Sequence, residues 1–174
     1  MTTMDLAVAI ELVGDEVRSR YFGDDVPNSL ALEMLREGND HRDVDQARAA
    51  GIFSPALADA HHQVIAADEE ELAEAMERLE LVDAVRLVGD DLRAGENDPT
   101  ATDELAVHLA RCDTDPDGLA AELAEGEIAG ERAAAYQHVL AAGDEEITAA
   151  LQLNAAITAA RAALRPAQRC AEPQ

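Results

Sequence analysis

The sequence brings metal-ligand and acid–base residue types to helical spacing most clearly at Glu104, His108 and Cys112. Each follows the last by four residues, which places all three on one face of a helix. Three ligand-type residues could begin a metal site, but one helix cannot complete a tetrahedral shell. The simpler interpretation is a Glu–His surface pair beside a buried cysteine. We therefore predict no metal here.

The remaining histidine positions are weaker candidates. His61 and His62 are adjacent, so on a helix their side chains diverge by about 100° and cannot both face one metal. Asp59 and His62 have the spacing of helix neighbours, as do His41 and Asp45. A histidine at such a position is usually exposed or half-buried. The sequence assigns no cofactor, and it leaves open whether His61, His62 or His108 has any role.

Known helical-enzyme signatures are incomplete in this chain. No Glu-x-x-His occurs, which counts against a ferritin-like di-iron site, and Asp24–Asp25 and Asp90–Asp91 each lack the third Asp of a DDxxD motif. Arg132 and His138 have the loose spacing found in small helical RNases, but the residue after the arginine is Ala133 rather than a polar one. One enzyme alternative remains open: a metal-dependent or acid–base hydrolase or nuclease whose site is assembled across helices from Asp59, His62, Glu104, His108 and Asp90 or Asp91.

The charge of the chain limits its partners. The formal net charge is −24, and all 13 basic residues are arginine. Such a charge repels phosphates, so we predict that nucleic acid is not a partner. The acid is spread over every segment up to Glu146, which favours adaptation to a high-salt cytoplasm over an acidic binding face.

Cysteine content and the N-terminal segment also favour the cytoplasm. Two cysteines, Cys112 and Cys170, make neither a zinc site nor a disulfide framework, and we expect them to be free thiols. The first ten residues lack a basic region and Asp5 interrupts their apolar run, so no signal peptide is predicted.

Hydrophobic spacing and capping residues predict an all-α protein of 174 residues in one domain. The aromatic content is 2%, so the core must be aliphatic. We predict a bundle of about seven to eight helices, with a possible subdomain boundary at 94–102 and no convincing internal repeat. The predicted helices cover 4–22, 29–37, 43–50, 55–67, 69–93, 100–112, 116–125, 127–142 and 147–164, with a restart or a continuation left open at Asp68.

The last predicted helix, 147–164, is the most unusual stretch. It holds no Asp or Glu in a chain that carries 37 of them, and it is rich in alanine. Asp144 is its expected N-cap and Pro166 its expected stop. Its length and the polar Gln152 and Arg161 argue against a membrane span. We predict a helix buried in the core or against a partner, and hence a non-enzymatic interaction or accessory protein, possibly a homodimer.

Overall fold

A computed structural model describes residues 4–22, 26–38, 40–95, 100–126 and 128–168. Within these ranges every regular element is helical, which confirms the all-α prediction. A π-helical turn, Arg18–Phe22, continues the first helix. The α-helices are α1 (Leu6–Val17), α2 (Asn28–Gly38), α3 (His41–Ala49), α4 (Pro55–Ala66), α5 (Glu69–Gly95), α6 (Asp103–Asp113), α7 (Pro116–Glu125), α8 (Gly130–Ala141) and α9 (Asp144–Gln168).

Local capping chemistry explains most helix starts. Ser54 accepts a hydrogen bond from the backbone N–H of Leu57, and Pro55 occupies the first position of α4 as predicted. Asp115 caps α7 in the same way, and the predicted bounds of α7 are correct. The predicted end of α9 is wrong, because the helix runs past Pro166 to Gln168. The φ angle of proline suits a helix, so Pro166 removes only one hydrogen bond near the helix end.

The chain forms two compact units. The first comprises residues 1–76 and 155–174, and the second comprises residues 77–154. The division therefore falls within α5 and within α9, whereas the predicted boundary at 94–102 lies inside the second unit. Residues 96–99 of that predicted boundary are outside the described part of the chain. The single-domain assignment stays a prediction.

In the first unit, α1 is the central helix. It packs against α2 and α4, and α3 packs on the other side of α4. Ile10 and Val13 on α1 and Val64 on α4 are fully buried. These aliphatic side chains form the core that the low aromatic content predicts.

The second unit repeats this plan. Here α6 and α7 both pack against α8, as α2 and α3 pack against α4. The starts of α2, α4 and α5 recur 75 residues later at the starts of α6, α8 and α9. Buried positions recur as well, because Val85, Val88 and Val139 are the counterparts of Ile10, Val13 and Val64.

The expectation that the chain has no internal repeat is therefore wrong. When residues 1–75 are laid over 76–150 without a gap, 21 of the 75 positions are identical. The longest identical run is Leu-Val-Gly-Asp, at 12–15 and 87–90. Because identity, helix bounds and buried positions agree at one offset, the two units are copies of one helical module.

An arginine clamp holds the same two helices together in each copy. Arg18 donates to Asp15 (2.8 Å), to the backbone carbonyl of Val26 (3.1 Å) and to Oδ1 of Asn28 (2.8 Å). The arginine thereby fixes the last part of the first helix to the start of the second.

Its counterpart in the second unit makes the same three contacts. Arg93 donates to Asp90 (2.8 Å), to the carbonyl of Ala101 (3.0 Å) and to Oδ1 of Asp103 (2.8 Å). The hydrogen bonds to Asp90 and Asp103 raise the pKa of the Arg93 guanidinium.

The expected burial of the alanine-rich C-terminal helix is not confirmed. Leu153 and Ile157 of α9 are buried, as its apolar stripe predicts. However, only 22% of the apolar window Asp144–Leu164 is buried. The remaining surface carries alanine, which is too small to drive burial on its own. The exposed residues beyond the middle of the helix are Ala155, Ala156, Thr158, Ala159, Ala162 and Ala163.

Candidate functional site

A cleft of about 670 Å³ lies between α6 and the first turns of α9, within the second unit. Val107 and Ile147 are buried beneath it, whereas Leu105 is 45% exposed. Glu104 and His108 reach it from α6, and Thr148 and Leu151 reach it from α9. The cleft thus joins an apolar floor to a charged and hydroxylated rim, a composition suited to binding an amphipathic group.

The rim is held by an ion pair. Arg111 Nη1 lies 2.7 Å from Asp144 Oδ1, and this pair links α6 to the first residue of α9. Asp144 is part of the first turn rather than the predicted N-cap. A carboxylate in that turn also interacts favourably with the helix dipole. The contact orients the two walls of the cleft.

The row Glu104, His108 and Cys112 lies on one face of α6, as predicted. His108 Nε2 is 3.9 Å from Cys112 Sγ. The cysteine is exposed, so the expectation of a buried thiol is wrong. Among the described residues no group of three or more His, Cys, Asp or Glu side chains could hold a metal. A pairing of Cys112 with Cys170 lies outside the described residues.

The surface equivalent to the cleft is also apolar in the first unit. Leu30 of α2 is the counterpart of Leu105 and is exposed to almost the same extent, 44%. Arg36 is the counterpart of Arg111. An exposed leucine beside an arginine is therefore a property of the module rather than of one unit.

The carboxylates proposed for an enzyme site have separate partners. Asp59 pairs with Arg48 at 3.3 Å, and Asp90 belongs to the clamp of Arg93. Asp91 forms an ion pair with Arg132 and accepts a hydrogen bond from the Tyr136 hydroxyl at 2.9 Å. Burial raises the pKa of Tyr136, which keeps that hydroxyl a proton donor.

Within the described ranges, the side chains of this set do not meet in one cavity. Glu104 and His108 share the cleft but come from a single helix. Arg132 is held by Asp91, away from the role of a free cation that the RNase pattern needs. The convergence that the hydrolase or nuclease alternative requires is not found among these residues.

Two histidines from different helices face each other in the first unit. Nδ1 of His41, at the start of α3, lies 2.8 Å from Nδ1 of His62 on α4. Nε2 of His62 lies 3.0 Å from Asp45 Oδ1, one turn after His41. The sequence gave Asp45 and His41 helix-neighbour spacing, but it contained no signal for the contact with His62, which is 21 residues away from His41.

His61 occupies a different environment from His62, as their adjacent positions require. It is 2% exposed, and neither ring nitrogen has a hydrogen-bond partner. The ring stacks on Phe53 with centroids 4.5 Å apart, and Nε2 lies 3.7 Å from Glu16 Oε2. Burial, with smaller contributions from the charges of Arg20 and His62, lowers the pKa of His61 to about 4. The expectation of an exposed or half-buried histidine is therefore wrong at this position.

Comparisons with protein-family models, curated proteins and solved structures find no match. Among the described residues, one helix, α9, is long and apolar enough over Asp144–Leu164 to span a membrane by length and composition alone. Function must therefore be argued from the surfaces described above.

Proposed function

We propose that this chain is a non-enzymatic helical interaction protein of a salt-adapted cytoplasm, which self-associates through the exposed face of α9 in its first unit. The observation that carries the proposal is that this face is uncharged. Ala155, Ala156, Ala159, Ala162 and Ala163 are exposed there, and the helix has no acidic residue after Glu146.

Charge singles out this face as the contact for a second copy. Each chain carries −24, so two copies repel each other wherever their acidic surfaces meet. Contact through the α9 face places no carboxylate of that helix against its counterpart. Screening by salt weakens the repulsion between the remaining surfaces, so self-association is expected to strengthen as salt concentration rises.

Packing considerations agree with the charge argument. Alanine side chains allow two helix axes to approach to about 8 Å, the short end of the usual range. Arg161, on the half-buried side of α9, contacts Glu11 and Asp15 of α1, with Nε 2.6 Å from Asp15 Oδ2. That contact anchors the helix so that its alanine face stays outward.

Replacing Ala159 with Glu is expected to abolish self-association. The wild-type chain should have twice its 18.5 kDa monomer mass at molar KCl, and Ala159→Glu should have the monomer mass with unchanged helicity. The measurement is light scattering coupled to size exclusion, with circular dichroism on the same samples. The physical reason is that a dimer would bury two added carboxylates against an apolar surface.

Ala73→Glu is the matched control, because Ala73 is also an exposed helical alanine, on α5. It adds the same charge and should leave the dimer intact. A monomeric wild-type chain at molar KCl would contradict the proposal. So would a dimer that survives Ala159→Glu but is lost in Leu105→Glu, because the contact would then lie at the cleft. Binding of monomeric wild type to lipid vesicles would instead identify α9 as a membrane-surface helix.

A further inference from the structure

We propose that His41 and His62 form a two-imidazole site for a borderline divalent cation such as Zn²⁺, with Asp45 as the positioning residue. The site lies wholly in the first unit, between the start of α3 and the middle of α4. It is independent of the surface through which self-association is proposed.

The ring geometry points the two nitrogens at each other. The ring planes lie within 23° of parallel, and the centroids are 5.0 Å apart. The 2.8 Å gap between the Nδ1 atoms is close to the shortest that this centroid separation allows. The rings therefore meet edge to edge, and each Nδ1 lies in the line between them.

The carboxylate of Asp45 sets the tautomer of His62. A carboxylate accepts a hydrogen bond, so the nitrogen 3.0 Å from Asp45 Oδ1 carries the proton when His62 is neutral. Nδ1 of His62 then presents a lone pair towards Nδ1 of His41. Two lone pairs at 2.8 Å repel, so a proton or a metal ion must lie between them.

A metal ion needs only a small rearrangement. Zinc binds imidazole nitrogen at about 2.0–2.1 Å, so two nitrogens of a tetrahedral site are separated by about 3.4 Å. His41 is exposed and His62 is 26% exposed, so both rings can separate by a few tenths of an ångström. Water completes the coordination shell. The carboxylate–histidine–metal arrangement is the usual way in which a protein orients such a ligand.

Ligand chemistry distinguishes this site from the acidic surface. The 37 carboxylates attract any divalent cation, and Mg²⁺ prefers their oxygen atoms. Imidazole favours Zn²⁺, Ni²⁺ or Cu²⁺. Excess Mg²⁺ therefore occupies the carboxylates while leaving a two-histidine site available to zinc.

The test is a Zn²⁺ titration of the full chain in excess Mg²⁺, followed by long-range ¹H–¹⁵N spectra of the imidazole rings. The chain has five histidines, so each ring can be assigned. Zinc should shift Nδ1 of His41 and of His62 and leave His108 and His138 unchanged. The ring of His61, which is buried, reports that the fold is intact.

Variants separate ligand from positioning roles. His62→Gln should weaken zinc binding at least tenfold, and Asp45→Asn should weaken it about tenfold, as is typical when the partner of a ligand is removed. His138→Gln is the control and should have no effect. Absence of a zinc-dependent shift, or a first shift at His108, would overturn the proposal and show that a shared proton alone explains the 2.8 Å contact. Unchanged binding in Asp45→Asn would remove the positioning role.

Discussion

Acidification from pH 7 to pH 4 is expected to lower the free energy of unfolding by about 3 kcal/mol through His61 alone. The pKa of this ring falls from 6.5 to about 4 in the folded chain, and each pKa unit corresponds to about 1.4 kcal/mol. Between these two values the unfolded chain binds more protons than the folded chain, so stability falls as pH falls. The loss begins near pH 6.5 and is complete below pH 4.

The neighbours of His61 modify this response in a known direction. Burial raises the pKa of Glu16, although Arg20 opposes the shift. A carboxyl group with a raised pKa favours the folded state at low pH, so Glu16 partly offsets His61 just above pH 4.5. Arg20 lies over the ring of Phe53 at 5.1 Å and keeps a positive charge close to His61 throughout.

The measurement is urea unfolding at a series of pH values for wild type, His61→Leu and His108→Leu. Leucine fills a similar volume and removes two buried ring nitrogens that lack hydrogen-bond partners, so stability at pH 7 should change by less than about 1.5 kcal/mol. His61→Leu should lose most of the slope between pH 6.5 and pH 4. His108→Leu, at an exposed position, should keep it. Equal slopes in all three proteins would show that His61 is not the group responsible.

Replacing Gly14 or Gly89 with Ala is expected to cost about 2 kcal/mol, although this substitution usually stabilises a helix by about 0.5–1 kcal/mol. A methyl group on Gly14 would overlap Oδ1 of Asn28 and crowd the guanidinium of Arg18. A methyl group on Gly89 would do the same to Asp103 and Arg93. Relief of the overlap breaks a charge-assisted hydrogen bond of the arginine clamp, which is worth about 1.5–3 kcal/mol.

Gly38→Ala provides the matched control for these two substitutions. Gly38 is also helical, and a methyl group placed on it meets nothing within 4 Å. Thermal unfolding should show lower midpoints for Gly14→Ala and Gly89→Ala and no loss for Gly38→Ala. A gain in stability at Gly14 or Gly89 would mean that the clamp is not under steric control.

The local features of this fold were predictable because they depend on neighbouring residues. Ser54–Pro55 and Asp115–Pro116 combine an N-cap with proline at the first helical position, and both helices begin there. The exposure of α9 was not predictable from its composition. Alanine fits a buried helix and an exposed helix equally well, and only the packing of Leu153 and Ile157 decides which side faces inward.

The repeat and the histidine pair were missed for a different reason. Most of the 21 identities between the copies are common helix residues such as alanine and leucine, so they become visible only when the two halves are compared at one fixed offset. His41 and His62 lie on different helices, and their approach depends on how α3 packs against α4. Helical spacing gives no information on such a contact.

The two clamps also differ at one pair of positions, and the difference has an evolutionary consequence. In the first unit, Asn28 accepts from the arginine and donates to Glu11 at 3.3 Å. In the second unit, the equivalent positions hold Asp103 and Arg86, which are linked through Asn154.

Exchange of one residue of this pair without the other would set Asp against Glu11, or leave Arg86 beside a neutral amide. The two substitutions are therefore epistatic. Since the duplication, each copy has followed its own mutational path, and recombination between the copies within this pair is expected to yield a less stable hybrid.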